Sequence, residues 1–381
     1  MILVLVAVVA GASMCAALAV RDPTPKYPFQ DWHLAPLDRA NDLIIRLTLD
    51  EKAQQLVSMS PAVDRLGWNP YNWRSECCHG WGFTGSDWKG SGWDGHATIF
   101  PHVIGLAATF DSELVRDVGF AAGIEGRAAF NNASAQGIYG HMMSGLHCFG
   151  PTENVVRDPR WGRIKRTWGE SPFLTGQLAS AHLEGLRSDA PALRVGTFAR
   201  ATLDALAMPP AAKRAILGGV HSESELPSVG ETRYVLMSSG VNMYGVHSGP
   251  DSIRQAFEAS ATSADVEGLY LEAFHAAVSE GGVESVMVAY SGINLDGTGG
   301  IPDNANAWLM NDTLKGKWGF KGVAFSDNGG VPLLYTGQHY ATSEEDAVRL
   351  AAGAFLDQDM TSGGPGNGPS GMPWNYGKSL F

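Results

Sequence analysis

Two separate stretches of this sequence carry side chains suited to chemistry on a small polar ligand. Residues 157–163 read Arg-Asp-Pro-Arg-Trp-Gly-Arg, so three guanidiniums and one carboxylate surround a Pro and a Gly. The Pro and the Gly predict a rigid turn, from which guanidiniums present fixed hydrogen-bond donors to ligand hydroxyls. Residues 323–327 read Val-Ala-Phe-Ser-Asp, a mainly apolar run that ends in the lone carboxylate of Asp327. A buried strand that ends in Asp delivers its carboxylate to the mouth of an α/β barrel, so together the two stretches indicate a sugar site.

The rest of the chain alternates between helix and strand signals. Apolar spacing and capping residues, including a capping box from Thr48 to Glu51, predict helices over residues 36–47, 48–57, about 111–130, and 265–278. Short β-branched runs predict strands over residues 284–290 and 322–326. This alternation is typical of parallel α/β folds, and we predict a (β/α)8 TIM-like barrel over residues 28–360.

Two regions depart from that alternation. Residues 194–231 hold Pro-Pro and Gly-Gly pairs with little amphipathic pattern, and we interpret them as an atypical insertion or a long surface excursion. Residues 361–381 are rich in Gly, Pro and Ser, and we expect an irregular tail there.

The N-terminal residues have the pattern of a targeting segment. Residues 1–19 are apolar and end in small residues before Val20, which predicts a cleaved signal peptide. An uncleaved membrane anchor is the alternative, because the length would just permit it and no basic residue precedes the apolar run. We expect a secreted, extracellular protein, in the cell wall or outside it, with no membrane contact after cleavage.

Composition narrows the class of partner. The 381 residues are 44% apolar and carry a net charge of −12 without any block of Lys or Arg. A chain of this length and apolar content can form the hydrophobic core of a large catalytic domain. Its negative net charge argues against nucleic acid or an anionic membrane as the partner. We expect a neutral small-molecule substrate, and the sequence leaves the oligomeric state open.

The cysteines and histidines indicate a disulfide rather than a metal site. After signal cleavage the chain keeps Cys77, Cys78 and Cys148, and adjacent cysteines rarely bridge each other. We expect Cys148 to pair with one of the other two. The run Cys77-Cys78-His79 is too tight for the usual ligand spacing, so we predict no metal and no cofactor.

Six motifs in one order carry a family resemblance. They are Arg-Leu-Thr-Leu-Asp-Glu-Lys at 46–52, Tyr-Asn-Trp-Arg-Ser-Glu-Cys-Cys-His-Gly at 71–80, Phe-Pro at 100–101 with Ala-Ala-Thr-Phe-Asp at 107–111, the motif at 157–163, Met-Val-Ala-Tyr at 287–290, and Lys-Trp-Gly-Phe-Lys-Gly at 317–322 leading into Ser-Asp at 326–327. With these motifs the chain resembles glycoside hydrolase family 3, in its plant- and fungal-type β-xylosidase and β-glucosidase branch. The resemblance runs from about Pro28 to Asp359 with a gap in the middle.

The resemblance implies a retaining hydrolase that acts on oligosaccharides or β-glycosides, such as those released from xylan. It implies that Asp327 is the nucleophile, which attacks the anomeric carbon of terminal β-linked xylose or glucose and forms a covalent glycosyl-enzyme. Glu76 would accept hydrogen bonds from the hydroxyls of the non-reducing end, Arg163 would brace the same ring, and Tyr290 would lie beside the nucleophile. Glu rather than Asp at position 76 favours pentoses, because the longer carboxylate fills the space of a hydroxymethyl group.

The sequence also departs from the family pattern. Ser239-Gly240 stands where the resemblance places a Lys-His pair, Arg166 stands where Glu is usual, and Ser171 replaces an Asp. The family's general acid/base normally comes from a second, α/β-sandwich domain, which we expect to be lacking here. Each charged hydrogen-bond donor that is lost weakens the binding of substrate and transition state by about 1.5 to 3 kcal/mol.

Two hypotheses follow. The first is a secreted β-glycosidase of which this chain is the barrel domain, and the sequence leaves open whether the underlying gene model is truncated or mis-assembled. The second is a catalytically impaired or non-catalytic saccharide-binding barrel. A metal-dependent hydrolase is a distant third.

Overall fold

The computed structural model describes residues 25–82, 97–188 and 235–360, and the chain divides into two compact units after Lys52. The predicted signal peptide at 1–19, the insertion at 194–231 and the tail at 361–381 lie outside the described residues.

The described part of the first unit, residues 25–52, is mainly helical. A short 3-10 turn, Pro28–Gln30, precedes helix α1 (Pro36–Arg46), and helix α2 (Leu49–Gln54) begins at the end of this unit. The predicted capping box is present, since the Thr48 N–H donates to Glu51 Oε2 at 2.8 Å and the Glu51 N–H donates to Thr48 Oγ1 at 3.3 Å. Helix α2 stops at Gln54 rather than at Val57, because the backbone of Val57 pairs with Asp359 in a parallel bridge.

The second unit is a mixed α/β structure. Its strands are β1 (Met59–Ser60), β2 (Tyr71–Asn72), β3 (His147–Thr152), β4 (Ser238–Tyr244), β5 (Glu258–Ala261), β6 (Ser285–Val288), β7 (Gly292–Leu295), β8 (Gly300–Pro302) and β9 (Val323–Ser326). Its further α-helices of more than one turn are α3 (Val103–Ala107), α4 (Ser112–Ala135), α5 (Pro172–Arg187), α6 (Glu272–Ser279), α7 (Gly330–Thr336) and α8 (Glu344–Gly353). Wider π-helical turns occupy Val266–Tyr270 and Trp308–Lys317, and Ser263–Asp265 forms one α-helical turn.

A four-stranded parallel sheet in the order β3-β4-β6-β9 lies at the centre of this unit. Isolated parallel bridges extend it on both sides, from Glu76 to Phe149 of β3 and from Gln358 to Phe325 of β9. A smaller sheet joins β5, β7 and β8, and β1 pairs antiparallel with β2. The described residues therefore confirm an α/β fold with a parallel sheet, while closure into an eight-stranded barrel stays a prediction.

Both faces of the central sheet are buried, which is expected where helices cover a parallel sheet. Val286 and Ala324 point to the side that packs with Phe274 of α6. The alternate residues, Met287 and Phe325, pack with one another in a separate cluster. This burial fixes the ends of β6 and β9, where the next residues enter the candidate site.

Helices α4 and α5 approach each other through glycines, and this gives a first prediction. A Cβ on Gly185 would lie 2.0 Å from the carbonyl oxygen of Arg116. We expect Gly185→Ala to lower the free energy of unfolding by about 1 to 3 kcal/mol, because the helices would have to separate. Gly353→Ala is the control, since a Cβ there has no neighbour within 4 Å and should be neutral or stabilising. If chemical denaturation showed that both variants lose the same free energy of unfolding, close packing of α4 against α5 at Gly185 would be contradicted.

A buried carboxyl beside β9 gives a second prediction. Asp359 accepts a hydrogen bond from Ser326 Oγ at 2.6 Å, and burial raises the pKa of Asp359 from 3.8 to about 6. An acid whose pKa is higher in the folded state favours folding at low pH, and that contribution is lost as pH rises through about 6.

We expect Asp359→Asn to be more stable than the parent by about 1 to 3 kcal/mol at pH 7, with little difference near pH 4. The amide oxygen can still accept the Ser326 hydrogen bond. Denaturation curves between pH 4 and pH 7 measure the gap, and a gap that does not widen with pH would contradict the assignment.

Candidate active site

The four residues predicted from the sequence come from neighbouring segments of the central sheet. Asp327 directly follows β9, and Tyr290 lies two residues after β6. Arg163 lies in the loop after β3, and Glu76 forms the bridge beside Phe149 of β3. These strands are parallel, so the segments that follow them meet at one edge of the sheet.

Backbone hydrogen bonds and a nearby guanidinium hold Asp327 in place. Its N–H donates to the carbonyl oxygen of Val288 at 3.2 Å, and its Oδ1 accepts from the N–H of Asn328 at 2.6 Å. Its Oδ2 lies 3.9 Å from Nη2 of Arg163, and the residue is only 9% exposed. The carboxylate is therefore fixed at a strand end with one oxygen toward a guanidinium, as is required of a nucleophile or of a group that stabilises developing positive charge.

Tyr290 contacts the segment that carries Asp327. Its hydroxyl donates to the carbonyl oxygen of Asn328 at 2.7 Å, and its own carbonyl oxygen accepts a short hydrogen bond from the Gln338 amide. Burial and the negative charge of Asp327 raise the pKa of the Tyr290 phenol. The phenol therefore stays protonated and acts as a donor beside the nucleophile position.

Glu76 is engaged by a residue for which the sequence analysis proposed no role. Arg166 donates a short hydrogen bond from Nη2 to Glu76 Oε2, and the Cys78 thiol lies 3.6 Å from the same oxygen. The pKa of the Glu76 carboxyl lies above its ordinary value, because burial raises it by more than the positive charges of Arg166 and Arg163 lower it. The only signal for Arg166 in the sequence was its departure from the usual family residue.

His247 is a second residue that the sequence analysis did not identify. It lies in the loop after β4 and is buried, with its ring centroid 6.4 Å from the ring centroids of both Trp161 and Tyr290. Burial, together with the charges of Arg163 and Arg254, lowers the pKa of His247 to about 3. The imidazole is therefore neutral at ordinary pH.

The structure changes the position expected for the missing Lys-His pair. Ser239 lies opposite Cys148 and Gly240 opposite Phe149, within the first half of β4. Only the residues at the end of the strand, Asn242 and Met243 among them, lie near the edge where the site forms. This end of β4 offers an amide and a thioether in place of two nitrogen bases.

A disulfide ties the segment of Glu76 to β3. Cys77 and Cys148 are bonded, with an S–S distance of 2.06 Å, and Cys78 is free and buried. The expectation that Cys148 pairs with one of the two adjacent cysteines is confirmed. Because Cys77 follows Glu76 directly, the bond holds the Glu76 backbone against the sheet.

Comparison with known proteins decides the family. Residues 87–362 match the family model described as the glycosyl hydrolase family 3 N terminal domain. The chain belongs to glycosyl hydrolase family 3. It is 33% identical over 343 residues to "Probable beta-D-xylosidase 7" of Arabidopsis thaliana, a match that covers 90% of this chain and 39% of that protein. It is 31% identical over 344 residues to "Probable exo-1,4-beta-xylosidase bxlB" of Aspergillus terreus, covering 89% of this chain and 38% of that protein.

Solved structures show the same fold. A family 3 exo-β-xylosidase, XlnD, in complex with a xylobiose aziridine probe superposes with a TM-score of 0.67 at 23% identity, covering 93% of this chain and 38% of that one. A β-glucosidase from Listeria innocua superposes with a TM-score of 0.58 at 20% identity, covering 85% of this chain and 41% of that one. This family 3 chain thus spans about two fifths of the length of the relatives that it matches.

The described ranges have two further properties. Among residues 25–82, 97–188 and 235–360, no group of three or more His, Cys, Asp or Glu side chains could hold a metal ion. No helix within the same ranges is both long and apolar enough to cross a membrane.

Proposed function

We propose that this chain forms the nucleophile-bearing and sugar-binding part of a secreted, retaining β-glycosidase, built on an eight-stranded barrel. Its substrate would be a β-glycoside or oligosaccharide with xylose or glucose at the non-reducing end. The observation that carries the proposal is the Asp327 carboxylate, fixed at the end of β9 with Arg163 3.9 Å away. The xylosidase names of the relatives support a pentose as the preferred sugar.

In this proposal each site residue acts on a different part of the reaction. Asp327 attacks the anomeric carbon, the bond to the leaving oxygen breaks, and water later hydrolyses the glycosyl-enzyme. Arg163 holds Asp327 and the ring, and the protonated Tyr290 supports the segment that carries the nucleophile. Glu76 accepts hydrogen bonds from sugar hydroxyls. The proposed chemistry needs neither a metal nor an organic cofactor.

Hydrolysis of 4-nitrophenyl β-xyloside by the full chain tests this proposal. The substrate suits a site whose general acid is unassigned, because its good leaving group needs little proton transfer. We expect slow but measurable release of nitrophenol, faster from the xyloside than from the matched glucoside. No release above the uncatalysed rate would contradict it, and unchanged release with a chelator would exclude a metal-dependent route.

A saccharide-binding protein without turnover is the second candidate. Two observations favour it. Arg166 pairs with Glu76, and the end of β4 has neither Lys nor His. Xylose binding without hydrolysis or labelling by a mechanism-based sugar would support this candidate.

The third prediction concerns Glu76. We expect Glu76→Gln to weaken xylose binding by about 10- to 100-fold, because hydrogen bonds from sugar hydroxyls to a charged acceptor contribute about 1.5 to 3 kcal/mol. Calorimetry or the KM for the aryl xyloside measures the loss. Glu184→Gln, which alters an exposed ion pair with Arg116, serves as the matched control. If the parent and Glu76→Gln bind xylose with equal affinity, the assignment of Glu76 to the sugar site is wrong.

A further inference from the structure

Arg166 connects two residues of the candidate site. It lies at the end of the 3-10 turn Ile164–Arg166, three positions after Arg163. Its Nη2 donates to Glu76 Oε2 and lies 3.2 Å from the sulfur of Cys78. The Cys78 sulfur lies 3.6 Å from the same carboxylate oxygen. One oxygen of Glu76 is therefore occupied by a guanidinium and a thiol.

The surroundings make this contact strong. The side chains of Arg166 and Glu76 are only 25% and 15% exposed, so water screens their charges weakly. Arg166 and Arg163 face Glu76 as positive charges, Asp327 faces it as a negative charge, and the Cys78 thiol completes the set. Burial raises the pKa of Cys78 to about 11, so the thiol is neutral at ordinary pH and can donate to the carboxylate.

The second oxygen of Glu76 has a different environment. Within the described ranges, Oε1 of Glu76 has no hydrogen bond to another protein group, whereas Oε2 has two. A carboxylate with one oxygen fixed and the other open presents a single acceptor in a defined direction.

We propose that Arg166 is a positioning residue, which fixes Oε2 of Glu76 and thereby directs Oε1 toward a sugar hydroxyl. The inference rests on the proposed function of Glu76 as a sugar ligand. Arg166 acts through Glu76 and makes no bond to the reacting atoms. Its substitution should therefore change how Glu76 titrates and how tightly sugar binds, and both effects should disappear when Glu76 is replaced.

The first test measures titration and does not depend on activity. In full-length protein with ¹³C-labelled Glu carboxyls, the Glu76 signal is assigned by its loss in Glu76→Gln. We expect the pKa of Glu76 to be higher in Arg166→Gln than in the parent, and intermediate in Arg166→Lys, which keeps the charge but not the planar fork. Arg349→Gln, at an exposed ion pair on α8, should leave it unchanged. An unchanged Glu76 pKa in a folded Arg166→Gln or Arg166→Lys protein would overturn the proposal.

The second test is a double-mutant cycle on xylose binding. We expect Arg166→Gln to weaken binding by about tenfold in the parent, with partial recovery in Arg166→Lys, and to have no effect in Glu76→Gln. Equal losses in both backgrounds would overturn the proposal and leave the function intact. If the parent neither binds xylose nor hydrolyses the aryl xyloside, the proposed function fails and the sugar role of Arg166 fails with it.

Discussion

Asp327→Ala is expected to abolish measurable hydrolysis of 4-nitrophenyl β-xyloside, lowering kcat by about a thousandfold or more. The reason is that Asp327 alone forms the covalent bond in the proposed reaction, whereas Glu76, Arg163 and Tyr290 contribute binding and orientation. Water can partly replace binding groups, but it cannot replace a nucleophile fixed at a strand end.

Steady-state kinetics and covalent labelling together measure this effect. A mechanism-based fluorosugar should label Asp327 in the parent, as detected by peptide mass spectrometry, and should not label Asp327→Ala. Asp359→Asn is the matched control, because Asp359 is a buried carboxyl hydrogen-bonded to Ser326, the residue before the nucleophile. That variant should keep its activity and its labelling.

Each alternative result has a defined meaning. If Asp327→Ala hydrolyses the xyloside as well as the parent does, the nucleophile assignment is wrong. If neither protein turns over or becomes labelled while both bind xylose, the chain is a non-catalytic saccharide-binding domain.

Local patterns in the sequence were sufficient to predict where Asp327 lies. Residues 323–325 are apolar and are followed by Ser326 and the carboxylate of Asp327, and the structure forms β9 over Val323–Ser326 with Asp327 next. The turn motif at 157–163 likewise predicted Arg163 in a loop, and its guanidinium does approach Asp327. Both positions could be predicted because a strand end and a turn depend mainly on residues within a few positions in the sequence.

The ion pair between Arg166 and Glu76 could not be predicted in the same way. The two residues are 90 positions apart, and they are brought together by the pairing of Glu76 with β3 and by the disulfide between Cys77 and Cys148. The register of β4 could not be predicted from the sequence either. A shift of a few residues in its pairing with β3 moves Ser239 and Gly240 along the strand, while the strand as a whole stays equally apolar.

Several parts of the sheet had no sequence signal. Val57, Glu76 and Gln358 join neighbouring segments through single bridges, which are too short to show the alternation of a strand. The turns at Val266–Tyr270 and Trp308–Lys317 are wider than α-helix, so α-helical periodicity predicted only approximate bounds for the first. The sequence therefore predicted the class of fold better than the edges of its central sheet.

Removal of the disulfide between Cys77 and Cys148 is expected to have the largest effect on stability. The two cysteines are 71 residues apart, and in the chain-entropy model a closed loop of that length contributes about 4 kcal/mol to the free energy of unfolding. The double variant Cys77→Ala with Cys148→Ala should lose about that amount in chemical denaturation. Cys78→Ala is the control, because it removes a buried thiol but leaves the disulfide, and it should lose about 1 to 2 kcal/mol.

The same bond should also matter for the site, since it fixes the residue next to Glu76. Cys77 is bonded to β3, and its N–H donates to the carbonyl oxygen of Phe149 at 3.3 Å, so Glu76 lies between two anchored neighbours. The Phe149 N–H donates to the carbonyl oxygen of Ser75 at 2.9 Å and anchors the other side. Without the disulfide, the backbone hydrogen bonds and the contact with Arg166 hold this segment, and we expect xylose binding to weaken while the double variant is still folded. A double variant that keeps both the stability and the xylose affinity of the parent would show that β3 pairing alone positions Glu76.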